Sequence, residues 1–223
     1  MIALHAYDHD DTHGPLTIQT HVSEQNARFA SGIYAGTAVI TPRGPRQIAA
    51  LRAGDLIETF DDGPQPITAI EGFNARILDM ALPRALWPIG LAQGMLGNRR
   101  PVRLAPNQAV MLESDSAEQA FGDPFVMVPA ATLLSLPCAR LLSPSPFDKI
   151  YHIRFDTPQL IMTADAGVML CEPKSLLHHW ADTAPLGYTT LPLDYAQELL
   201  AQDIDCAGGI APYLQKLTAQ IAA

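Results

Sequence analysis

Residues 32–63 read GIYAGTAVITPRGPRQIAALRAGDLIETFDDG, a succession of short β-rich runs and tight turns with few reactive side chains. Val39-Ile40 and Leu56-Ile57-Glu58-Thr59-Phe60 are bounded by Pro-Arg-Gly, Ala-Gly-Asp and Asp-Asp-Gly-Pro, combinations that punctuate strands rather than helices. Asp62-Gly63 lies between the run at Leu56 and the next one, Ile67-Thr68-Ala69-Ile70. Glycine supplies a positive φ there, which predicts a hairpin turn. The habit continues downstream in Val102-Arg103-Leu104, Val110-Met111-Leu112, Phe125-Val126-Met127-Val128, Tyr151-His152-Ile153-Arg154-Phe155 and Leu160-Ile161-Met162-Thr163. About ten short strands without βαβ alternation predict one antiparallel, mostly-β domain over the first ~170 residues. Helical spacing enters in PAATLLSLP, read as one short helix, and in LDYAQELLAQDI and IAPYLQKLTAQIAA, whose Leu and Ile recur at helical intervals. Gly208-Gly209 separates these last two.

At 223 residues and 48% hydrophobic composition the chain can bury a sizeable core. A net charge of -9, with 14 Lys and Arg spread along the sequence, excludes the clustered cations that a nucleic-acid surface needs. No segment has the ~18 to 20 apolar residues of a membrane span. The first residues, MIALHAYDHDDTHGPL, lack a basic region followed by a long apolar one, so no secretory signal is read and a cytoplasmic location is expected. His5, Asp8, His9, Asp10, Asp11 and His13 in that leader carry metal-ligating groups, but no scaffold to fix them is visible and no metal or cofactor is assigned. Cys138, Cys171 and Cys206 are odd in number and lack CxxC spacing, which favours buried thiols over a disulfide framework or a zinc site.

The segment GTAVITPRGPRQIAALRAGDLIETFDDGPQPITAI, 36–70, resembles the opening of a Hint (hedgehog/intein) domain of the bacterial stand-alone type. A Gly-Thr strand, a Thr-Pro-x-Gly turn, a Leu-x-x-Gly-Asp turn and an Asp-Gly hairpin follow in that order. NRRPVRLAPNQAVMLES, FVMVPAATLL and YHIRFDTPQLIMTADAG resemble later segments of the family, also in order. The resemblance implies an all-β fold of two pseudo-symmetric halves and a Hint-like domain at 29–173, between the polar leader at 1–28 and the helical extension at 174–223 read from composition and spacing. It further implies self-processing. In the family a Cys or Ser attacks the carbonyl just upstream, turning an amide into an ester or thioester, while a Thr and a His polarise and protonate the scissile amide.

Here the site positions depart from that pattern. Gly32 stands where the family's nucleophile belongs, Ala105 where its hydroxyl is expected and Gln108 where its His is expected, and Pro158 occupies a position where relatives often carry His. Glutamine donates hydrogen bonds but transfers no proton at accessible pH. Substitutions at several steps of one reaction imply a pseudo-site, and with it a binding or scaffolding domain for a protein partner not identifiable from the sequence. The alternative is an active protein using Ser31, one residue upstream, on the Ala30/Ser31 bond with His152 as an unusual acid. Alternation along a strand would turn Ser31 away from the face that residue 32 occupies unless a bulge re-aims it. Cys171 is placed after the last strand. The adjacent histidines of LLHHW, 176–180, diverge and are read as packing, Trp180 and Tyr188 as pins for the tail, and Leu199, Leu200, Ile204, Leu214, Leu217 and Ile221 as an apolar stripe.

Overall fold

The computed structural model describes residues 24–75, 82–95, 98, 100–172 and 188–222. Fourteen strands occur among them, nearly all two to five residues long because a turn signal interrupts each apolar run. The fold is mostly β. Every named strand pair is antiparallel, in two six-stranded sheets and one two-stranded ribbon.

The first sheet has the order β11(Ala139–Leu141), β7(Ile89–Leu91), β8(Val102–Leu104), β1(Ile33–Tyr34), β12(Lys149–Arg154), β6(Ala69–Asn74). The second runs β10(Phe125–Pro129), β9(Ala109–Glu113), β14(Val168–Cys171), β13(Gln159–Met162), β4(Leu56–Thr59), β5(Gly63–Pro66). β2(Ala38–Thr41) and β3(Gly44–Gln47) form the ribbon, turned by Gly44 at φ 97°. The second sheet curls until its far ends meet: Phe60, just after β4, contacts Phe125 of β10 edge-on at 5.8 Å. Residues 188–191 lie along this seam. The Tyr188 hydroxyl donates to Asp61, Thr190 bridges Met127 in parallel, and the Leu191 N–H donates to the Met127 carbonyl at 2.9 Å.

The apolar alternation of both sheets converges on one core, with Ile33, Val39, Ile48, Ile57, Leu104, Val110, Phe155 and Ile161 almost fully buried. Helices α3(Leu193–Cys206) and α4(Ile210–Ala222) join that core through Ala196, Leu199, Leu200, Tyr213 and Leu217. The tail stripe is therefore packing for Leu199, Leu200 and Leu217, with Leu214 and Ile204 partly buried against it. Between the helices Gly208 and Gly209 take φ 83° and 116°, a conformation that glycine reaches at little steric cost.

Several expectations need correction. The partner of β4 in the first hairpin is Gly63-Pro64-Gln65-Pro66, not the run starting at Ile67. Prolines are tolerated because β5 lies at a sheet edge, where missing N–H groups orphan no acceptor. PAATLLSLP forms a 3-10 helix at Ala130–Ser135. Helix α2(Asp115–Phe121) went unread although its cap is legible: Ser114 accepts from the Ala117 N–H and Gly122 ends the helix at φ 78°. Cys171 does not follow the last strand but closes it, and is buried. The leader's His and Asp cluster at residues 5–13 and LLHHW lie outside the described residues, whereas the end of the leader is described and forms one helical turn, α1(Glu24–Ala27).

Candidate functional site

Register alone explains how distant segments meet. β1 sits between β8 and β12, with Ile33 opposite Leu104 on one side and Tyr151 on the other. Continuing both antiparallel registers by one residue sets Gly32 beside Ala105 and His152. The chain after β8 then turns back through Pro106 and Asn107, closed by the Gln108 N–H donating to the Ala105 carbonyl at 3.0 Å. That turn brings Gln108 over Gly32.

The result is a cavity of about 320 Å³ lined by Ser31, Gly32, Gln108, His152, Cys171 and Glu172, among others. Of the residues singled out in the sequence, Ser31, Gly32, Gln108 and His152 share it, and Ala105 does not line it. Ala105 is fully buried in a satellite cluster with Phe29, Tyr34 and Ile150. Pro158 precedes β13 and is likewise absent from the lining. Ser31 lines the same cavity as Gly32, and strand alternation does not extend to it. β1 begins only at Ile33, and Gly32 at φ 105° breaks the alternation.

The polar groups in the cavity are heavily committed. The buried Gln108 accepts from the Gly32 N–H through Oε1 at 2.9 Å. Its Nε2 donates to the Leu170 carbonyl at 2.9 Å and to the Ala109 carbonyl at 3.0 Å, so both amide hydrogens are used. The Asn107 N–H donates to the Ala30 carbonyl at 2.7 Å. His152 Nε2 lies 2.8 Å from the Arg28 carbonyl. A carbonyl oxygen only accepts, so Nε2 carries the proton and donates. Phe73 meets the imidazole edge-on at 5.3 Å and itself carries the Arg28 guanidinium 4.5 Å from its ring centre. Residues 28–32 are thereby fastened at three points.

A side chain at position 32 would be crowded and strained. A Cβ there would lie 3.0 Å from the Tyr151 carbonyl oxygen and from His152 Cδ2, and φ 105° is strained for any L-residue. Burial pushes the Cys171 thiol up to about 12, with Glu172 adding to the effect, so it is present as the unreactive thiol rather than the thiolate. Sequence reading missed the contributions of Asn107, Arg28 and Phe73. Asn107 lies inside the motif that held Ala105 and Gln108 and was within reach; Arg28 and Phe73 carry no local signal.

A profile of the Hint domain matches residues 32–172. The chain belongs to the Hint domain family. Among solved structures, the solution structure of a bacterial intein-like domain from Clostridium thermocellum is similar at 13% identity, covering 64% of this chain and 98% of that chain with a TM-score of 0.41. No curated protein matches the sequence.

Proposed function

We propose that this Hint domain has lost self-processing and acts as a binding or scaffolding domain, its former reaction centre converted into a clamp on residues 28–32. The observation that carries this reading is the environment of Gly32. The residue brings no nucleophile, its φ strains and the Tyr151 carbonyl and His152 ring crowd any side chain placed there, and its N–H is held by a side chain unable to supply a proton. Nucleophilic help and proton transfer each contribute orders of magnitude to such a reaction, so losing both leaves the Ser31/Gly32 amide as inert as an ordinary peptide. Purified protein incubated with thiol or hydroxylamine, either of which would trap a thioester or ester, is expected to keep its intact mass of 24.1 kDa. Cleavage next to residue 31 would overturn the reading.

One observation favours a second reading, in which Ser31 is the nucleophile. Its upstream carbonyl, that of Ala30, receives the Asn107 N–H at 2.7 Å, a donor placed as an oxyanion would require. Ser31 Oγ would add to the Ala30 carbonyl carbon, the C–N bond would break, and the hydroxyl proton would end on the released Ser31 amine, leaving an ester. Against it, His152 Nε2 is already spent on Arg28. A hydroxylamine-dependent fragment beginning at Ser31 and abolished by Ser31→Ala would establish this reading.

A further inference from the structure

The charges of this chain are segregated. No Lys or Arg occurs between Arg103 and Arg140, nor between Lys174 and Lys216. The described parts of those two spans carry Glu113, Asp115, Glu118, Asp123, Asp194, Glu198 and Asp205 at the surface, with Asp203 buried beneath them. They build α2, β9, β10 and α3, which pack together, while the β4–β5 turn adds Asp61 and Asp62 where Phe60 reaches Phe125. Lys216 of α4 reaches this acidic surface and is paired with Asp115.

The same surface exposes apolar residues that the core does not use. Phe121 is 50% exposed, Phe125 44%, Phe60 43%, Leu193 41% and Tyr195 40%. They are adjacent rather than scattered. Phe121 of α2 meets Tyr195 of α3 at 6.1 Å, Phe125 meets Phe60 at 5.8 Å, and the tight turn at Gly122–Pro124 joins the two pairs. The backbone around them is pinned: Asp123 accepts from the Phe125 N–H and Asp194 from the Tyr195 N–H, both at 2.9 Å. Rings held on a fixed backbone lose little conformational entropy on contact, the property that makes aromatic residues good interface anchors.

We infer that this face, centred on Phe121, Phe125 and Tyr195, docks a partner segment that combines Arg or Lys with aliphatic side chains. Exposed aromatic faces bind guanidinium and ammonium groups, and the surrounding carboxylates supply the complementary charge. An acidic or purely apolar partner is disfavoured, because the former is repelled and the latter leaves Glu113, Glu118 and Glu198 facing apolar surface. The inference rests on reading the chain as a binding domain. It concerns a different surface from the cleft, whose silence is judged by intact mass, so the two readings fail separately.

The test uses the full chain and a fluorescein-labelled synthetic peptide of arginine, leucine and serine, followed by anisotropy, with the glutamate-for-arginine peptide alongside. The basic peptide is expected to bind, the acidic one not, and added salt to weaken binding. The Phe121→Ser/Phe125→Ser variant, altered only at exposed positions, is expected to keep its melting temperature and lose about tenfold in affinity. Glu118→Gln/Glu198→Gln is expected to lose a few-fold. Equal binding by wild type and the Phe variant would overturn the inference, since charge alone would then explain attraction. So would no binding by the wild type, or a dimer in sedimentation that the Phe substitutions abolish and the peptide fails to displace.

Discussion

The cleft at Gly32 and the helical corner where α2, α3 and α4 meet both bury polar groups, and they satisfy them differently. In the cleft the buried group is the neutral amide of Gln108, which answers three backbone groups at once. At the corner it is the carboxylate of Asp203, which accepts from the Ser116 N–H at 2.9 Å, with Lys216 and Asp115 paired at the rim. The amide accepts and donates at once and so serves N–H and carbonyl partners together, whereas the carboxylate only accepts. Gln108 is a residue suited to fixing backbone.

The largest effect is therefore expected at the clamp. Gln108→Ala would leave the Gly32 N–H and the Leu170 carbonyl without partners and is expected to cost about 3 kcal/mol in urea unfolding. A loss below ~1 kcal/mol would show that water replaces the amide and that the cleft is no tighter than the corner. Gly32→Ala is expected to cost about 2 kcal/mol, from positive φ and from crowding against Tyr151 and His152. For the same reason the variant Gly32→Cys/Ala105→Thr/Gln108→His is expected to stay intact in thiol. Thiol-dependent loss of the preceding segment would mean that the backbone at residue 32 relaxes freely, and would break the contrast.

Titration sharpens the comparison further. The Cys171 thiol has its folded pKa raised from 9.0 to about 12 by burial. The unfolded chain then gives up its proton first as pH rises, so this contribution is fully present below pH 9 and is lost progressively between 9 and 12. Tyr34 and Tyr213 are raised in the same direction, chiefly by burial. Stability measured against pH is expected to fall above pH 9, and Cys171→Ser to flatten the slope. The smallest effect belongs to the corner's rim: Lys216→Ala removes an exposed pair and is expected to change stability by less than ~1 kcal/mol. A larger loss would show the rim pair and Asp203 acting as one network.

What the sequence could tell was uneven for physical reasons. Turn chemistry is local, so Gly44, Gly63 and the Gly208-Gly209 break were readable in place, and so was the β character of the runs between them. The approach of Gly32, Gln108 and His152 depends on register among β8, β1 and β12. It was reached only by matching whole segments to a family. Alternation says nothing about Ser31, because it presumes a regular strand and the strand starts two residues later. β5 was missed because two prolines argue against a strand unless it is known to be an edge. His152 is held by Arg28 and Phe73, 124 and 79 positions away in sequence, a distance over which no local pattern operates.

The seam filled by residues 188–191 has a practical corollary for how the protein can be cut. The Hint profile ends at residue 172, and a fragment trimmed there would remove the segment lying along β10. β10 is Phe-Val-Met-Val-Pro, a hydrophobic stretch whose outer backbone groups would then be unpaired. Such an edge recruits strands from other molecules. The trimmed domain is expected to aggregate where the longer chain does not, which makes the C-terminal helices and the strap before them this sheet's own protection against misassembly.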